Sequence, residues 1–148
     1  MDDLWPDDIA STESIKSPAY ILKEQASLLG KKTKNIITAA INTIANRQPI
    51  IQYDFIIIAP ALSNYRYRLF SIYYNIISIY PCTMFIDVDI FKEISMYCNV
   101  KKSDQSSITI HSESELEQAM RYIFKSEKTK QLIKSLIAES GAGSYSPE

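Results

Sequence analysis

Pro49 to Val88 reads PIIQYDFIIIAPALSNYRYRLFSIYYNIISIYPCTMFIDV, the densest run of Ile, Phe, Tyr and Leu in the chain. Its β-branched and aromatic bias favours pleated strands over helices. From Ile50 to Ala59, alternation gives Ile51, Tyr53, Phe55, Ile57 and Ala59 one wholly apolar face. The other face carries Gln52 and Asp54 at one end and Ile56 and Ile58 at the other. That pattern predicts one face against a core and one half-covered. Pro60 ends the strand, and Ser63 with Asn64 supplies the turn into a second strand, Tyr65 to Tyr74. Asn75 allows a bend, and a third strand runs from about Ile79 to Val88.

Outward from this centre the readings divide. Lys34 to Asn46 fits both a strand, with Ile37, Ala39, Ile41, Thr43 and Ala45 on one face, and a helical stripe of Ile36, Ile37, Ala40, Ile41 and Ile44. Its Ile and Thr content, and the turn-forming Asn46, Arg47, Gln48 and Pro49, favour the strand. Ser17 as cap, Pro18 at the first position and Gly30 as stop predict a helix over 18–29. Asp89 is expected to cap a short helix, Ile90 to Tyr97, and Ile108 to Ile110 is either a short strand or a loop.

Ser112 and Glu115 form a capping box ahead of a helix, Glu113 to Phe124. Ser126 caps a last helix, Glu127 to Ala138, ended near Gly141. Short turns between successive strands imply an antiparallel meander. The fold expected is α+β: a mainly antiparallel sheet of three to four strands, an N-terminal helix, and two C-terminal helices packed on the sheet. Residues 1–17 form an arm tacked down by Trp5, 18–140 one domain, and 141–148 a disordered tail.

Composition narrows function by exclusion. The 148 residues contain three glycines, too few for a phosphate-cradling loop or a dinucleotide fingerprint, so no cofactor is expected. A formal charge of -1 gives no field to gather nucleic acid or an anionic membrane. No apolar run approaches the ~20 residues that cross a bilayer. Without a charged-then-apolar leader, the expected location is the cytoplasm. Cys82 and Cys98 lack metal or redox spacing and read as buried thiols. His111 is the one histidine in the sequence, so histidine-pair chemistry is absent, and its place before a helix cap suits a surface turn.

Three sets of residues could carry a function. Tyr65, Tyr67, Tyr73 and Tyr74, with Arg66 and Arg68, put large amphipathic rings and guanidinium groups on a sheet that helices cover on one side; they are the expected partner-binding residues. The partner would be another protein or a second copy of the chain. Asp87 and Asp89 form an Asp-x-Asp pair of the kind that holds Mg²⁺ beside a phosphate in phosphoryl-transfer or nuclease-like enzymes, although a cap and a solvated strand end explain both. Arg66 and Arg68 with Lys31, Lys32 and Lys34 could bind nucleic acid, but alternation separates the tyrosines from the arginines. The sequence favours a non-catalytic interaction protein over either alternative.

Overall fold

A computed structural model describes residues 1–10, 16–44, 48–96 and 106–144. Helix α1 (Pro18–Lys32) precedes strand β1 (Thr38–Ile44), and three long strands follow: β2 (Ile50–Ala59), β3 (Tyr65–Asn75) and β4 (Ser78–Ile86). Helix α2 (Val88–Ile94), strand β5 (Ser107–Ile110) and helices α3 (Glu113–Lys125) and α4 (Glu127–Ser144) complete the chain. The strands pair antiparallel in sequence order, β1-β2-β3-β4-β5, which is the expected meander. The sheet has five strands rather than three to four. The added member is β5, whose four residues pair with Cys82 to Phe85 and are too few to show a period in sequence. Lys34 to Asn46 resolves as strand from Thr38 to Ile44, paired without a break to β2; Asn46 and Arg47 of the expected turn lie outside the described residues.

One hydrophobic cluster holds the elements together. Phe55 and Ile57 of β2, Phe70, Ile72 and Tyr74 of β3, Cys82, Met84 and Ile86 of β4, and Ile108 and Ile110 of β5 all enter it from the same side of the sheet. Onto that side pack Ile21, Leu22 and Ala26 of α1, Ile90, Phe91 and Ile94 of α2, Leu116, Met120 and Ile123 of α3, and Leu136 of α4. Phe55 and Phe70 stack at 5.2 Å between ring centroids, and Phe124 of α3 closes on Phe55 at 5.3 Å. Each fully buried ring of this kind contributes roughly 2–3 kcal/mol. All the helices therefore sit on one layer, against one face of the sheet.

The helix ends follow local chemistry. The Ser17 hydroxyl accepts from the Tyr20 amide, with Pro18 in the first turn, as the sequence predicts. Gly30 does not end α1: the helix runs on to Lys32, and the left-handed residues are Lys34 and Asn35. Gly30 serves close packing instead, since a Cβ there would stand 3.0 Å from Asn35 Oδ1. Thr33 makes the stop: its hydroxyl, 2.7 Å from the Ile37 carbonyl and 3.1 Å from that of Leu29, donates its one proton between them and accepts from the Ile37 amide (3.1 Å).

Ser112 accepts from the Glu115 amide at 3.2 Å, and Glu115 reaches back to the His111 amide, one residue before the cap. The Ser126 hydroxyl accepts from the Thr129 amide at the start of α4 and donates to the last carbonyls of α3 at Ile123. Helix α4 passes Gly141 and continues to Ser144, leaving only 145–148 of the expected tail outside the described residues.

Two expectations about anchors change. Trp5 does not tack the N-terminal segment down: its side chain is 72 % exposed, and Leu4 and Ile9 are exposed beside it. Asp87, not Asp89, caps α2, accepting from the amides of Asp89 (3.0 Å) and Ile90 (3.1 Å). The strand ends at Ile86, so Asp87 is the last residue with extended backbone and takes the cap, while Asp89 falls inside the helix. Tyr97 lies outside the described residues, and α2 ends at Ile94.

Candidate functional site: the open sheet face

Strand register assigns the second face. Opposite Phe55, Ile57 and Ala59, β2 presents Asp54, Ile56 and Ile58; across the ladder these pair with Ser71, Arg68 and Arg66 of β3. Tyr73 pairs with Gln52 on one side and Thr83 on the other, and Phe85 pairs with Ser71. None of these side chains belongs to the hydrophobic cluster or packs on it. Among the described residues no helix covers this face.

The face has a hydrogen-bonded centre. Asp54, 8 % exposed, accepts from Ser71 Oγ at 2.6 Å and from Gln52 Nε2 at 3.1 Å. Arg68 Nη1 donates to the same Ser71 hydroxyl at 2.7 Å. A carboxylate held this far from solvent needs such donors, and the serine relays its charge to the guanidinium. Beside this hub the rings of Tyr73 and Phe85 stack at 5.3 Å and 14°. Ile58 adds aliphatic surface next to Arg66, while Ile56, opposite Arg68, is buried. The result is a face with an aromatic stack and two exposed arginines, whose own carboxylate is shielded by its neighbours.

The structure divides the six expected partner-binding residues. Arg66, Arg68 and Tyr73 share the open face. Tyr74 is in the core, 6.2 Å from Tyr53 between ring centroids, where burial raises its phenol pKa well above the usual value. Tyr65 and Tyr67 lie on the helix side, opposite Ala59 and Ile57. The cause is a bulge: Phe55 pairs with Phe70 but Ile56 with Arg68, so Leu69 is an extra residue in β3. Leu69 and Phe70 both turn into the core, and alternation reverses beyond them. Phe85, which the sequence reading missed, was signalled by its alternation with core-facing Met84 and Ile86.

Asp87 and Asp89 are joined to other partners. Asp87 Oδ1 caps α2, and Oδ2 accepts a short hydrogen bond from the Tyr67 hydroxyl. Lys128 of α4 stands 2.8 Å from Asp89 Oδ2 and 4.0 Å from Asp87 Oδ1, with its ammonium 5.7 Å from the Tyr67 ring centre. An ammonium thus occupies the place between the carboxylates that a divalent cation would need. Hydrogen bonding to Asp89 and Tyr67 raises the Lys128 pKa, and the Asp89 carboxyl is lowered by Lys128 in turn. Among the described residues no group of three or more His, Cys, Asp or Glu side chains is placed to hold a metal ion.

The remaining candidates are dispersed. His111 is exposed, with Nδ1 3.2 Å from Glu115 Oε1, and this contact lowers the glutamate pKa. A concavity of about 490 Å³ between the β3–β4 turn and the start of α3 is lined by Ile76, Ile77, Tyr80 and His111, and none of the paired aspartates or arginines reaches it. Lys31 and Lys32 close α1 on the helix layer, whereas Arg66 and Arg68 face the other way. Cys82 is a buried free thiol, pushed up to about 11 by desolvation; Cys98 lies outside the described residues. No described helix is long and apolar enough to cross a membrane. Comparison with known proteins gives no match: no family model, no curated protein and no solved structure is similar enough to lend the chain a function.

Proposed function

We propose that this protein is a non-catalytic, cytoplasmic interaction module that binds another protein or a second copy of itself through its open sheet face. One observation carries the reading: every described helix lies on one side of the sheet, and the other side presents the Tyr73–Phe85 stack with Arg68 and Arg66 further along the same face. Rigid aromatic rings give contact area at little conformational cost, and arginines complete such surfaces by pairing with carboxylates at the rim. Arg68 is already oriented by Ser71, so less freedom is lost when it binds. The buried free thiol of Cys82 suits a reducing compartment.

Protein is a better partner than nucleic acid for this face. Arg68 is partly neutralised through Ser71 and Asp54, leaving Arg66 as the free cation in the register described. Tight phosphate binding draws on several uncompensated cations.

Oxidative footprinting tests the proposal. Tyr73 and Phe85 should be modified readily in dilute purified protein and protected in the native cell, with Lys134-side helix residues unchanged between the two. Equal modification in both settings would remove the proposal's support.

A further inference from the structure

The open face calls for an occupant with apolar anchors and carboxylates, and the chain itself carries such a segment. Residues 1–10 read MDDLWPDDIA, with four aspartates and no basic side chain. All ten residues are exposed, including Leu4, Trp5 and Ile9, whose apolar side chains would ordinarily find cover. The segment is locally ordered around the indole: the Trp5 amide donates to Asp3 Oδ1 at 3.0 Å, and the Ile9 amide donates to the Pro6 carbonyl at 3.2 Å. Two turns therefore hold Trp5 outward between an aspartate on one side and the Asp7–Asp8 pair on the other.

Resting on the reading of the open face as a binding surface, we propose that its occupant is the acidic segment Met1–Ala10 of a second copy of this chain. Complementarity is of both kinds. On the face, Ile58 and Ile56 lie directly across the ladder from Arg66 and Arg68, so apolar and cationic groups stand one strand spacing apart, about 5 Å. In the segment, Asp3 is two residues before Trp5, and Asp7 and Asp8 are two and three residues after it, inside the turn that Pro6 opens. The indole covers Ile58 beside Arg66 while the aspartates meet the arginines. Asp54 offers little repulsion, because it is 8 % exposed and its Oδ1 accepts from both Ser71 and Gln52. Exchange between copies follows from exposure, since within one chain the segment does not rest on its own sheet. The contact is reciprocal, each copy giving a segment and receiving one.

Trp5 is the one tryptophan in the sequence, so its emission reports the contact directly. As concentration rises, the emission should shift to the blue in step with a rise in sedimenting mass from 16.9 kDa to twice that value. Arg66→Glu should weaken both changes about tenfold or more, and so should Asp7→Lys with Asp8→Lys. Mixing the two charge-reversed proteins should restore association. Circular dichroism of Arg66→Glu establishes that the fold is intact. The inference is overturned if Trp5 stays solvent-like at every concentration, if its blue shift is independent of concentration, or if association survives both charge reversals. Protection of Tyr73 in the cell with an unresponsive Trp5 would overturn the segment as occupant and leave the binding face standing.

Discussion

Asp54 and Asp87 show how single carboxylates decide what this surface can do. Asp54 is buried with Ser71 as its closest donor, so Ser71→Ala should leave the carboxylate short of a partner and free Arg68. A loss of about 1–3 kcal/mol in urea-induced unfolding is expected, larger than for Thr109→Ala on the same face. The sequence showed Asp54 on the mixed face but not its partner Ser71, which lies 17 residues away in the chain. The assignment of the Asp-x-Asp pair failed for a local reason: which aspartate caps depends on where extended backbone stops, and that boundary is set by pairing between β3 and β4. Cys82 and Tyr80 predict an alkaline limit. Burial pushes them up to about 11 and about 12, so each favours the folded state fully below its ordinary pKa, and that advantage is lost as pH rises toward the raised values. Chemical unfolding should show stability falling from about pH 9 upward, and Cys82→Ala should make the fall shallower.

Elements were legible where their signals are local. The caps at Ser17, Ser112 and Ser126 are each completed within three or four residues and appear at the predicted serines, although the return arm from Glu115 goes to the His111 amide rather than to Ser112. Helix α4 has a second support that no local pattern contains: Glu93 of α2 accepts from the amides of Glu127 (2.7 Å) and Lys128 (3.3 Å). A carboxylate at a helix start satisfies free donors and opposes the helix dipole. Glu93→Ala should therefore destabilise the protein by about 1 kcal/mol, with the loss of amide protection concentrated at the start of α4 in hydrogen exchange. Acid should loosen the same region. Lys128 holds the Asp89 pKa down, so this tie contributes above the ordinary carboxylate range and is lost as pH falls through the lowered value. The β3 bulge was the costliest illegible feature. Nothing in YRYRLFSIYY distinguishes an inserted Leu69 from regular alternation, and the insertion reassigns the face of every residue after it.

At the scale of the molecule, the α+β class and the antiparallel order follow from the density of strand-forming segments and the shortness of their connections. The number of strands did not, because β5 gains its identity only by pairing with β4. The one-sidedness of the sheet was half legible: the mixed polarity of Gln52, Asp54, Ile56 and Ile58 announced a second face, but its lack of helix cover needed the packing of α1 to α4. That asymmetry turns a set of aromatic and basic residues into a surface. A photo-crosslinking side chain in place of Tyr73, expressed in the native cell, tests the claim most directly, with the same group at exposed Lys134 on α4 as the comparison. The account predicts discrete covalent adducts from position 73, lost on adding Arg66→Glu, and none from position 134. Adducts from 134 alone, or adducts from 73 that ignore Arg66→Glu, would contradict it.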